Sequence, residues 1–208
     1  INCPETLRSK EQYQNNNVIN YLVVDDFLET SFAQLVATEH RDVSQHSWIE
    51  YSHYNQKKFG VTDVSLMGLN TRNLIEELSS APFMSWLCDV TGFNDLVFDY
   101  DLDRGGLHRI ERGGFLKIHT DERSHVKHMD WMRCINMLLF LSPDYQEFRG
   151  GNLDLWDNKK RTLIESIQPK FNRCIIFGSD DNSFHGHPTP LNCPENSARR
   201  SLALYYFQ

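Results

Sequence analysis

The sequence predicts a mainly β protein with helices, of the α+β class, and three observations predict it. The first third carries apolar residues at helical spacing. From about residue 95 the pattern changes to about eight short β-rich runs. Gly, Pro and Asp/Asn pairs punctuate those runs: Gly105-Gly106, Gly113-Gly114, Pro143-Asp144, Gly150-Gly151, Asp157-Asn158 and Pro169-Lys170. Short strands at this spacing read as a sandwich or barrel. Helices first and strands afterwards read as helices packed on one face of it. The chain shows no repeat, low-complexity segment or long linker. A single domain over 1–208 is therefore expected, with helical and strand support over about 1–95 and the strand core over about 96–208.

The elements follow in order. The polar stretch 14–17 reads as a loop. Tyr21-Leu22-Val23-Val24 is a β-rich run closed by Asp25-Asp26. A helix follows, with Phe32, Leu35 and Val36 on its apolar face and Thr30 or Asp26 as its cap. Asn70-Thr71-Arg72-Asn73 opens a second helix carrying Leu74, Ile75 and Leu78. A third follows Pro82, carries Phe83, Trp86, Leu87 and Val90, and stops at Gly92. The strand runs are 96–100, 106–110, 115–120, 134–141, 152–156, 162–167, 174–177 and 201–207.

Composition removes several function classes. Hydrophobic residues are 40% and charged residues 24%, which excludes wholesale disorder, collagen and coiled coil. The longest apolar run, 137–141, is far short of the ~20 residues of a membrane helix. The net charge is −7, and the longest basic run, Lys159-Lys160-Arg161, reads as a solvated turn. Neither a nucleic acid nor a membrane is expected as a partner. The five cysteines form no CxxC pair and read as reduced thiols. The first residues show no charged start followed by an apolar stretch, so no signal peptide and a cytoplasmic location are expected.

The chemistry centres on Ile118-His119-Thr120-Asp121. Residues i and i+2 of a strand share a face, so His119 and Asp121 present an imidazole and a carboxylate side by side. That is two of the three ligands of a two-His, one-carboxylate iron site. The third would come from Ser183-Phe184-His185-Gly186-His187-Pro188, through His185 or His187. Arg199 and Arg200 open a terminal apolar strand. An arginine carried into a barrel needs an anionic partner, and a ligand carboxylate suits its fork. Arg199 and Ser201 share one face; a one-residue shift would present Arg200 instead. His46, His53 and His108 read as structural or surface residues, and Leu139 and Phe177 as core. Residues 121–131 read as a loop over a mouth, with 48–54 and 60–70 as the opposite lid.

Six ordered blocks then carry a resemblance. They are Gly113-Gly114-Phe115-Leu116-Lys117-Ile118-His119-Thr120-Asp121, the run from Arg133 through Asn136 to Ser142, Gly150-Gly151 to Trp156, Pro169 to Phe177, His185-Gly186-His187-Pro188, and Arg199 to Tyr206. Over about 96–207 the chain resembles the iron(II)/2-oxoglutarate-dependent oxygenases, in their prolyl-4-hydroxylase-like subgroup. The segment from Tyr21 to Leu28 is similar to their opening strand and helix. The resemblance implies a double-stranded β-helix (jelly-roll) core with N-terminal helices on one face. It implies iron(II) bound by His119, Asp121 and His185, with 2-oxoglutarate and O2 as the other reactants. It places the 2-oxoglutarate clamp at Arg199, with Ser201 assisting, Arg200 as the alternative and Asn136 near the cosubstrate. It implies hydroxylation of an unactivated C–H bond of a small molecule, amino acid or peptide, with succinate and CO2 as coproducts. The alternatives are a protein-modifying prolyl-type hydroxylase and a cupin-like metal-binding protein without oxygenase activity. Prolyl hydroxylases proper carry Lys where Arg199 stands and Tyr where Leu116 stands, which separates this chain from them.

Overall fold

The computed structural model describes residues 1–15, 18–145, 150–157, 159 and 161–208. Asn16 and Asn17 of the expected polar loop, and Asn158 and Lys160 of two expected turns, lie outside the described residues.

The last strand, β12 (Arg199–Phe207), shows how the sheet sorts its side chains. Successive strand residues point to opposite faces. Leu202, Leu204 and Tyr206 join a core built with the helices, whereas Arg199, Ser201 and Tyr205 line a cavity. The other strands are β1 (Tyr21–Val24), β2 (Ile49–His53), β3 (Gln56–Val61), β4 (Val97–Phe98), β5 (Gly106–Ile110), β6 (Phe115–His119), β7 (Arg133–Phe140), β8 (Leu153–Asp157), β9 (Thr162–Ile167), β10 (Cys174–Gly178) and β11 (Phe184–His187). Every pairing among them is antiparallel. The order is β1-β10-β7-β12-β5-β3-β6-β11-β8-β9, with β2 added to β3 and β4 to β12. Strand β3 pairs with both β5 and β6. It thus joins the larger sheet to the smaller one of β6, β11, β8 and β9, and the whole curls into the half-barrel of a jelly roll.

The helices α1 (Thr6–Gln14), α2 (Thr30–Asp42), α3 (Leu69–Leu78) and α4 (Ala81–Thr91) supply the other layer. Leu74, Leu78, Phe83, Leu87 and Val90 pack with Ile135, Met137, Leu139 and Ile176 of the sheet. Burying such side chains contributes roughly 1.5–3 kcal/mol each. The second and third helices start and stop near the expected residues, with Pro82 in the first turn of α4 and left-handed Gly92 after its last. Three expectations need correction. Helix α2 is capped by Glu29, whose carboxylate accepts from the Phe32 amide, and not by Thr30 or Asp26. Its buried face is Ala33, Val36, Ala37 and His40, while Leu35 is exposed. The expected lid at 48–54 and 60–70 is in part the β2–β3 hairpin, paired into the sheet. Helix α1 had no apolar stripe to announce it; it packs on α4 and β1 and buries Ser9 and Tyr13.

Candidate active site

Strand ends bring the three expected ligands together. His119 closes β6 and His185 lies opposite it on β11. Asp121 follows two residues beyond the strand. Their donor atoms all lie within 4.8 Å of one another. His119 Nε2 is 3.6 Å from Asp121 Oδ1, and His185 Nε2 is 3.7 Å from Asp121 Oδ2. Between the two imidazoles the chain runs His185-Gly186-His187, and the glycine is a packing requirement. A Cβ at Gly186 would sit 2.7 Å from the Leu116 carbonyl oxygen. The register of β11 on β6 shifts between His185, opposite His119, and His187, opposite Leu116. His185 therefore joins the cluster; His187 lines the same cavity with both ring nitrogens buried and unpartnered.

The donors fit a metal ion. His119 Nδ1 is 2.8 Å from the Lys117 carbonyl oxygen, and His185 Nδ1 is 2.9 Å from that of Ser183. A carbonyl only accepts, so in the neutral rings each Nδ1 carries the proton and each Nε2 keeps its lone pair for a metal. Asp121 is held from behind. Asn136 Nδ2 donates to its Oδ2 at 2.6 Å, and Arg133 Nη1 lies 3.3 Å from its Oδ1. Burial works to raise the Asp121 pKa. His185, the His119 hydrogen bond, Arg133 and Asn136 outweigh it and hold the carboxyl well below the usual range. Two imidazoles and one ionised carboxylate suit iron(II) and leave three coordination positions open.

Arg199 enters the same cavity of about 470 Å³. Its Nε donates to the Gly151 carbonyl at 2.7 Å, and its guanidinium lies 4.8 Å from the Phe140 ring centroid. Gly151 has φ +79°, and a Cβ there would meet Arg199 Cδ at 3.0 Å. The backbone conformation thus favours glycine, and a side chain there would also crowd Arg199. Ser201, one step along the same face, lines the cavity with its Oγ unpartnered. Arg200 faces the other way and does not line it; its amide donates to Ser142 Oγ and its Nη1 to the Ala198 carbonyl.

Several residues read differently from the sequence. Asn136 stands behind Asp121, with its free Oδ1 in a cavity-lining position. His108 and Phe177 line the cavity, and Phe177 meets the His185 ring edge-on at 4.9 Å. His46 and His53 are on the surface, in line with the expectation for them. Of the loop after the ligands, Asp121 and Glu122 line the cavity, whereas His125 and Trp131 pack on Phe207. Sequence reasoning gave no role to Arg133 or Lys58. Both face the cavity, and Arg133 stacks 3.7 Å from the Tyr205 ring centroid. An alternation reading of the Lys57-Lys58 strand could have singled out Lys58.

A curled β fold holding two histidines and a carboxylate defines a non-haem metal-site jelly roll. The model of the 2OG-Fe(II) oxygenase superfamily matches residues 105–207, which include His119, Asp121, His185 and Arg199 but not Lys58. This chain belongs to the 2OG-Fe(II) oxygenase superfamily, whose metal is iron(II) and whose cosubstrate is 2-oxoglutarate. It is 26% identical over 137 residues to the prolyl 3-hydroxylase OGFOD1 of Mus musculus, covering 64% of this chain and 23% of that protein. The chain thus spans about a quarter of that relative's length. Its fold is similar to a Trichoplax adhaerens prolyl hydroxylase in complex with a hypoxia inducible factor peptide fragment. The TM-score is 0.64 at 19% identity, over 97% of this chain and 90% of that one. It is also similar to SnoN, a non-haem α-ketoglutarate-dependent epimerase from nogalamycin biosynthesis. Here the TM-score is 0.67 at 12% identity, over 98% and 83% of the chains.

Proposed function

We propose that this chain hydroxylates an unactivated C–H bond of a small molecule, amino acid or peptide, using 2-oxoglutarate and O2 and releasing succinate and CO2. The observation that carries the reading is the convergence of His119, Asp121 and His185 in one cavity with Arg199. His119 and His185 would bind iron(II) through Nε2, and Asp121 through a carboxylate oxygen. When bound, iron(II) and 2-oxoglutarate supply the activation of O2 and the oxidation of the C–H bond. The chain supplies position and electrostatics. The Lys117 and Ser183 carbonyls orient the imidazoles; Asn136 and Arg133 aim Asp121 and keep it ionised. Arg199, anchored by Gly151, would present its remaining N–H groups to the distal carboxylate of 2-oxoglutarate, and Ser201 Oγ is free to join it. Leu138, Leu153 and Phe177 give the cavity apolar walls that exclude water from the reacting groups.

The relative and one neighbour act on proline by name, which supports a peptide as substrate. Leu116 lines the cavity where prolyl hydroxylases proper carry Tyr, which supports a target other than their proline site. Anaerobic titration of the metal-free protein with iron(II) and then 2-oxoglutarate tests the reading. A visible metal-to-cosubstrate charge-transfer band should appear and be lost in His119→Ala. Iron binding without a band in the unaltered protein would instead mean a cupin-like metal protein.

A further inference from the structure

We propose that Lys58 is a second cationic contact for the distal carboxylate of 2-oxoglutarate, acting beside Arg199; this rests on the oxygenase reading above. The register places it there. Strand β12 sets Arg199 opposite Ile110 and Ser201 opposite His108. Strand β3 sets Phe59 opposite Arg109 and Gly60 opposite His108, so Lys58 continues the register opposite Ile110. Arg199, Ile110 and Lys58 therefore form one row across three adjacent strands, and all three line the cavity. Adjacent strands are about 4.8 Å apart, so the two cations start about 10 Å apart on a concave surface. Two long side chains can close that gap over Ile110.

The charges point the same way. Four cations line the cavity: Lys58, Arg104, Arg133 and Arg199. Arg104 pairs with Glu122 at 2.8 Å and Arg133 with Asp121 at 3.3 Å. Among the described residues, no carboxylate lies within 4.0 Å of Lys58 or Arg199. The Lys58 ammonium instead lies 5.8 Å from the Tyr51 ring centroid. Enclosed cations without a counter-charge are costly, and a bound anion relieves both at once. His108, opposite Ser201, is kept neutral by burial and then by the fields of Lys58 and Arg199. The same region holds the unpartnered Ser201 Oγ and the unpartnered ring nitrogens of His187. A carboxylate has about four acceptor sites, enough for the guanidinium, the ammonium and the hydroxyl together. Burial and the two guanidiniums pull the Lys58 pKa down to about 8 against the pull of Asp121, which leaves it mainly protonated at neutral pH.

The test compares 2-oxoglutarate with 2-oxobutyrate, a 2-oxo acid with no distal carboxylate, by anaerobic titration of the iron(II) protein at neutral pH. Lys58→Met should weaken 2-oxoglutarate about ten- to hundredfold and leave 2-oxobutyrate unchanged, the loss expected for one charged hydrogen bond. Lys58→Arg should keep 2-oxoglutarate affinity within about threefold. Unchanged 2-oxoglutarate affinity in Lys58→Met would overturn the inference. So would equal weakening of both acids, which would mean that Lys58 supports the fold or the metal. If the unaltered protein binds neither acid, the oxygenase reading fails, and the inference with it.

Discussion

Adjacent arginines on β12 have opposite surroundings because strand side chains alternate. Arg199 is seated on Phe140 and tied to Gly151 inside the cavity; the Arg200 guanidinium lies outside it and donates to the Ala198 carbonyl. Arg199→Ala should therefore raise the 2-oxoglutarate concentration for half-maximal binding about ten- to hundredfold, the size of a lost charge-assisted bond. Arg200→Ala should change it by less than about threefold. A reversed ranking in the charge-transfer titration would mean that the strand faces are exchanged by one residue. The same alternation explains why Lys58 and not Lys57 faces the cavity. It also explains why Asn136 and Arg133, three residues apart, needed an irregularity to reach one carboxylate. The β7–β12 register shifts between Tyr206 and Phe207, pairing Phe207 with Arg133 and passing over Cys134.

At the scale of elements, α3 depends on a carboxylate from another helix. Gly68 precedes α3 and offers no side-chain cap. Glu39 of α2 fills that role. Its carboxylate accepts from the Asn70 and Thr71 amides and from both of their side chains, at 2.7–2.9 Å. Burial works to raise the Glu39 pKa, but these four donors outweigh it and hold it below the usual value near 4.5. A carboxylate with a lowered folded pKa stabilises above its unfolded value and loses that contribution as pH falls through the folded one. Glu39→Ala should cost about 1–3 kcal/mol in denaturant unfolding at pH 7. The difference from the unaltered protein should shrink steadily below pH 4.5. A constant difference across the acid range would remove the electrostatic account of this clasp.

At the scale of the whole molecule, the sheet separates a helix-packed core from a cavity, and His40 ties the two layers. It reaches from α2 to the His108 carbonyl on β5, 3.0 Å from its Nε2, with its ring against Trp48. Burial, then the charges of Arg200 and Arg109, lower its pKa from 6.5 to about 3, against the hydrogen bond to His108. Between those values the unfolded chain takes up a proton that the folded one refuses. Stability from this residue is thus complete above pH 6.5 and falls as pH drops towards 3. The unaltered protein should lose stability more steeply than His40→Gln over that range, by up to about 1.4 kcal/mol per pH unit. Parallel unfolding curves for the two proteins would mean that His40 accepts its proton without cost.

The sequence by itself determined the α+β class, the approximate limits of most strands and the His119–Asp121 pair, because these rest on periods of two and 3.6 residues and on turn residues that act locally. The Arg199–Ser201 face was legible for the same reason. That His185 and not His187 meets His119 and Asp121, and that Arg199 and not Arg200 lines the cavity, was decided only by tertiary structure, since each depends on pairing between strands far apart in the chain. Helix α1, the β2–β3 hairpin and the placement of Arg133 and Lys58 in the cavity were also decided there. None of these segments carries a strong local period; they are ordered by α4, by β5 and β6, and by the Asp121 carboxylate. Local patterns identify which residues can do the chemistry, and pairing across the sheet selects which of them meet in the cavity.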